Sequence, residues 1–145
     1  MSELREFLER DHERLDRLLS DERTYPEFRS GLLWHIGVEE KILFPYLRRT
    51  RGESELLNQL HRDHAALGAL LVPPPNPKII EQIRAILIAH NPLEEGPGGL
   101  YEQIQDADLL AAVRAYPPVR VAPHADTGVT RASIDELLRQ RDRKS

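Results

Sequence analysis

Four stretches of the chain repeat apolar residues at intervals of three and four, the spacing of an amphipathic helix, and no stretch shows the period of two that marks a strand. The first predicts a helix from about Ser2, a capping residue, to about Ser20, with the seam Leu4, Leu8, His12, Leu15 and Leu19. The second, from about Tyr25 to about Arg49, places Pro26 in its first turn, where a missing N–H is tolerated. Its seam is Phe28, Leu32, His35, Glu39, Ile42 and Tyr46, with a kink expected at Pro45. The third, from about Ser54 to Leu71, has the seam Leu57, Leu60, His64, Leu67 and Leu71. An extended VPPPNP connection at 72–77 precedes the fourth, which starts at Asn76 and Pro77 and has the seam Ile80, Ile83, Leu87, His90 and Glu94. Connections this short make neighbouring helices antiparallel. The fold class predicted is therefore all-α, an up-down-up-down four-helix bundle over residues 1–115.

Past Glu95 the pattern breaks. GPGG at 96–99 should end or distort the fourth helix, and Leu100–Ala115 can resume as another. Residues 116–145 read as an irregular linker followed by a short, charged helix at 133–143, opened by a capping box of Ser133 and Glu136. No role is assigned to this tail, and His124 within it reads as a solvated loop histidine.

Composition narrows the function classes. The chain has 145 residues, enough for one core, and is 40% hydrophobic and 30% charged, as folded domains are. Its net charge of −4 argues against nucleic acid as a partner, because phosphate binding needs a concentrated basic face. With no cysteine there is no disulfide, thiol nucleophile or thiolate-held cluster. The start is charged and lacks an apolar signal segment, and no run is long enough to span a membrane, so a cytoplasmic location without a membrane partner is expected.

The seams contain residues that do not belong in an apolar core. An internal repeat organises them: RDHERLDRLL at 10–19 matches RDHAALGALL at 62–71, and each copy is followed by H-x-x-x-E-E, at His35 and at His90. Residues four apart share one helix face, so His35 with Glu39 and His90 with Glu94 can each grip one ion from one side. An unpaired buried polar group costs roughly 2–7 kcal/mol, against a total stability of about 5–15 kcal/mol for a typical domain. Four histidines and two glutamates on inner seams need a neutralising partner, and a divalent metal supplies one. Imidazole suits zinc, copper, iron and nickel, while carboxylates favour harder ions. A mononuclear zinc site would leave ligands over. Paired His–Glu ligands in a bundle are similar to carboxylate-bridged di-iron arrangements.

These motifs resemble the hemerythrin-like, or HHE cation-binding, family over roughly residues 3–101. The match is carried by His12 in DHERLDRLL, by His35 and Glu39 with Leu43, Phe44 and Pro45 in register, by His64, and by His90 and Glu94 in HNPLEE. The resemblance implies a four-helix bundle with two iron ions, joined by a bridging oxo or hydroxo group and by Glu39 and Glu94. His61, about 60° round the helix from His64, is expected as a fifth histidine ligand. The metal set is then His12, His35, Glu39, His61, His64, His90 and Glu94.

This chain departs from the family pattern in its fourth helix. Pro92 falls between His90 and Glu94, and the GPGG loop sets Leu100 and Tyr101 two residues further on. Glu94 is therefore expected on a less rigid segment than Glu39, which reads as lying in uninterrupted helix.

Five histidines and two carboxylates cannot fill two six-coordinate irons, which implies an open position for a small ligand. The reading is a protein that binds or senses dioxygen, nitric oxide or iron, more a binding protein than an enzyme. One alternative is a di-iron enzyme acting on peroxide or in repair of damaged iron centres, although nothing in the sequence supplies a distinct substrate pocket or proton donor. The other is a metal-free helical interaction module.

Overall fold

The structure, a computed structural model, describes residues 2–142. It is all-α. In chain order come α1 (Glu3–Leu19), α2 (Tyr25–Val38), a π-helical turn (Glu39–Leu43), α3 (Phe44–Arg51), α4 (Glu55–Leu70) and α5 (Pro77–Glu95). Helix α1 packs on α2 and on α5, and α4 packs on α5. Three of the predicted starts are capped as the sequence implies. The Ser2 hydroxyl accepts from the Arg5 N–H at 3.1 Å, the Ser54 hydroxyl from Leu57 at 3.1 Å, and the Asn76 side chain from Ile79 at 2.9 Å.

The predicted seam of the second helix holds only as far as Glu39. There the ladder widens to a π turn, in which the Phe44 N–H bonds the Glu39 carbonyl five residues back. The extra residue advances the buried face by one position. Leu43 and Leu47 are therefore buried, and the expected Ile42 and Tyr46 are only half-buried. Pro45 falls in the first turn of α3, where its missing N–H does no harm. In α5 the buried apolar positions are Ile79, Ile83 and Ile86, while Ile80 and Leu87 sit at the edge of the stripe.

Two apolar layers enclose a polar one. Leu4, Leu8, Leu57 and Leu60 lie in the layer near the start of the chain, and Leu15, Leu19, Leu67 and Leu70 in the other. His12 and His64 stand between these pairs along α1 and α4. Each fully buried leucine contributes roughly 1.5–3 kcal/mol, so the bundle is held closed on both sides of its polar centre.

The tail is more ordered than a linker. A short 3₁₀ turn (Tyr101–Gln103) and α6 (Leu109–Ala115) replace the single helix expected from Leu100 to Ala115. Helix α7 (Gly128–Asp142) begins five residues before Ser133, because the Thr127 hydroxyl accepts from the Thr130 N–H at 3.1 Å and caps it there. It lies along α4 with Ile134 buried. Met1 and residues 143–145, including the expected helix end at 143, lie outside the described residues. Among the described residues no helix is long and apolar enough to cross a membrane.

Candidate metal centre

Six of the seven expected ligands converge between the apolar layers. His12 (α1), His35 (α2), Glu39 and Glu94 form one cluster, and Glu39, His64 (α4), His90 (α5) and Glu94 form a second, with the ligand atoms of each within 4.8 Å of one another. Both glutamates are fully buried. Each directs one oxygen to each cluster. Glu39 Oε2 lies 3.2 Å from His35 Nε2, while its Oε1 lies 2.9 Å from His64 Nε2. Glu94 Oε1 lies 3.0 Å from His12 Nε2, and its Oε2 lies 3.1 Å from His90 Nε2. Each carboxylate is thus shared between the two clusters.

His61 is not brought in. Its side chain is 61% exposed, and its Nδ1 faces the Glu40 carboxylate at 3.0 Å. The offset from His64 is enough to turn it out of the bundle, so it belongs to neither cluster. His124 is an exposed loop residue, as expected.

Every inward histidine has a carboxylate behind it. Asp11 Oδ2 lies 2.8 Å from His35 Nδ1, and Asp63 Oδ2 lies 2.8 Å from His90 Nδ1. Glu40 Oε2 is 2.7 Å from His64 Nδ1, and Glu95 Oε2 bonds His12 Nδ1. The partners run crosswise. The Asp of each R-D-H copy orients the next helix's histidine, and the second Glu of each H-x-x-x-E-E orients the first histidine of the other hairpin. A carboxylate on Nδ1 fixes the proton there and leaves the Nε2 lone pair facing the centre, which is how metal-ligating histidines are held. These four residues had been assigned no role from sequence. Their signal was the repeat, which doubles Asp11 and Glu40 as faithfully as it doubles the ligands.

The electrostatics describe a site that wants a cation. Burial alone would lower the pKa of His35, but the charge of Glu39 and the bonds to Asp11 and Glu39 outweigh it and hold His35 at about 10. His90 is held at about 9 against the same burial by Glu94 and Asp63. His12 and His64 are raised too, against burial, by the carboxylates they touch. Conversely, Glu94 is held well below the usual carboxylate range: its burial acts to raise it, and the charge of His90 with bonds inside the cluster prevails. Without metal, protons stand in for the missing positive charge.

Whether the residues fit a metal is decided by the second cluster. Glu39 Oε1, His64 Nε2 and Glu94 Oε2 are buried there without a hydrogen-bond partner. The first two approach to 2.9 Å, yet they are not aligned to bond each other. Lone pairs of mixed nitrogen and oxygen donors that miss one another and share a common space suit a transition-metal ion.

The fourth helix accommodates its proline. Pro92 and Ile88 are both exposed, so the carbonyl that lost its donor lies on the watery face, and α5 continues to Glu95. The contrast expected between the two glutamates changes accordingly: Glu39 opens a π turn, and Glu94 lies inside an α-helix. The glycine loop then folds the chain back. Gly98 takes φ +71°, and a Cβ on Gly99 would come within 2.6 Å of the Leu93 carbonyl. This reversal carries Tyr101 into the core, where burial and two carboxylates raise its pKa well above the ordinary tyrosine range. A cavity of about 320 Å³ reaches the centre from the side, lined by Leu15, Leu32, Leu67 and Leu87 among others. The Arg84–Asp16 ion pair, 3.4 Å long, stands at its rim. The sequence had offered neither this cavity nor a hydroxyl in the site.

Comparison with known families matches residues 2–99 to the hemerythrin HHE cation-binding domain, and the chain belongs to that family. No curated protein and no solved structure matches it.

Proposed function

We propose that the protein holds two iron ions between its clusters and binds or senses a small diatomic ligand, dioxygen or nitric oxide. The observation that carries the reading is the pair of buried glutamates, each with one oxygen in either cluster, flanked by four histidines whose Nε2 atoms face inward. His12 and His35 would hold one ion, His64 and His90 the other, and Glu39 and Glu94 both. Such a pair of ions supplies one-electron chemistry and an open coordination position.

The chain's own residues do the rest. Asp11, Asp63, Glu40 and Glu95 keep the imidazoles turned inward. The apolar cavity admits a small uncharged molecule and keeps water sparse around the ligands. The protein purified from iron-replete cells should carry about two irons per chain, and its optical spectrum should change on adding dioxygen or nitric oxide to the reduced form. A single tightly held zinc, or two irons with a spectrum indifferent to both gases, would count against the reading.

A further inference from the structure

Tyr101 lies just beyond the residues matched to the family, 2–99. Its side chain is buried and belongs to the apolar cluster that includes Leu43, Phe44 and Leu100. Its hydroxyl stands 2.7 Å from Glu39 Oε2, 3.1 Å from His35 Nε2, 3.2 Å from His12 Nε2 and 3.2 Å from Glu94 Oε1. These are the four ligand atoms of one cluster, and the hydroxyl is nearly equidistant from all of them. A phenol donates one proton and accepts through its oxygen, so hydrogen bonding alone does not require four such neighbours.

Coordination geometry does account for them. Donors sit about 2.1 Å from a first-row metal ion, so two donors at right angles lie about 3.0 Å apart. An atom capping a base of four donors has that separation from each of them. Within the base, His35 Nε2 and Glu39 Oε2 are 3.2 Å apart, and His12 Nε2 and Glu94 Oε1 are 3.0 Å apart, as neighbouring donors should be. The second cluster has no such cap, and it is the one whose buried donor atoms lack hydrogen-bond partners.

We propose that Tyr101 is a protein ligand to the ion held by His12, His35, Glu39 and Glu94, capping that half of the centre and leaving the His64–His90 half to receive the external ligand. The inference rests on the di-iron reading above. On binding, the phenol releases its proton to solvent, and its oxygen donates an electron pair to the ion. The GPGG turn is the device that delivers the side chain.

A phenolate on iron(III) gives a visible charge-transfer band, and excitation into that band enhances tyrosine ring vibrations in the Raman spectrum. The oxidised, iron-loaded protein should contain two irons and show such a band, with ring modes that shift when the protein is made with ring-deuterated tyrosine. Tyr101→Phe should lose the band, whereas Tyr46→Phe should keep it. The labelled wild-type protein answers the question even if Tyr101→Phe folds poorly. Two irons without tyrosine modes, or a band that survives in folded Tyr101→Phe, would overturn the ligand role and leave the di-iron reading standing. One iron in the wild type and two in Tyr101→Phe would show that the hydroxyl fills the ion's own place. No iron in either protein would overturn both.

Discussion

The two halves of the metal centre are built from the same repeat and closed in different ways. Each takes two histidines from one helical hairpin, shares the same two glutamates, and sets an aspartate and a glutamate behind its imidazoles. The His12–His35 half is capped by Tyr101. The His64–His90 half is walled by Phe44, whose ring stacks on His64 at 5.5 Å, and it keeps three buried polar atoms without hydrogen-bond partners. The supports differ as well. Asp11 is paired with Arg14 from its own helix, whereas Asp63 is approached at 2.8 Å by Arg141 from α7. A duplicated motif fixes which histidines and carboxylates converge. The segments that follow it, here a glycine turn and a terminal helix, decide which half stays open.

The largest expected effect separates shared from private ligands. Glu39→Ala removes a donor from both clusters at once, so iron content should fall from two per chain toward none. His90→Ala removes a donor from one cluster only and should leave the Tyr101-capped ion in place. Metal analysis of both variants checks this. If His90→Ala lost both ions, or Glu39→Ala kept one, the halves would not be joined through the glutamates.

Next in size is the response to metal removal. A ligand present at about 100 times its Kd adds roughly 2.7 kcal/mol of stability, which is on the order of 5–10 °C in melting temperature for a domain of this length. The pH dependence should then divide the two states. A histidine whose folded pKa is raised stabilises the fold fully below its unfolded value near 6.5, and that contribution fades as pH climbs through the folded value. His35 at about 10 and His90 at about 9 place the window between pH 6.5 and 10. Metal-free protein should therefore melt at progressively lower temperature across it. The loaded protein, whose histidines are already deprotonated on the metal, should change little. Parallel melting curves from pH 6.5 to 10 would contradict this.

Much of this was legible in the chain because the polar seam residues stand out against a leucine background. His12, His64 and the two His–Glu pairs obey the same spacing as the leucines around them, so fold and ligands came from one pattern. What escaped was whatever departs from an ideal helix. The π turn at Glu39 moves the buried face by one residue, and no local propensity marks it. Tyr101 escaped because glycines and a proline read as an ending, while their structural consequence is a reversal. The cap on α7 falls elsewhere than expected because Thr127 offers the same chemistry as Ser133 six residues earlier.

The smallest effect is expected at His61, and it tests how sharply the boundary of the centre is drawn. Helical spacing sets His61 and His64 on adjacent faces of α4, close enough in sequence for either to read as a ligand. The structure separates them through Glu40, whose carboxylate meets both: His64 Nδ1 at 2.7 Å inside the bundle and His61 Nδ1 at 3.0 Å outside it. With 61% of its side chain exposed, His61 forms a surface pair of the kind that contributes about 0–1 kcal/mol. His61→Ala should therefore retain both irons and the unaltered optical spectrum. Glu40→Ala, by contrast, removes the group that orients a ligand histidine, a class of change that weakens metal binding by about 10–100-fold. Metal titrations of the two variants make the distinction. Loss of an iron from His61→Ala would return it to the ligand set, and Glu40→Ala with wild-type affinity would mean that His64 needs no support from behind.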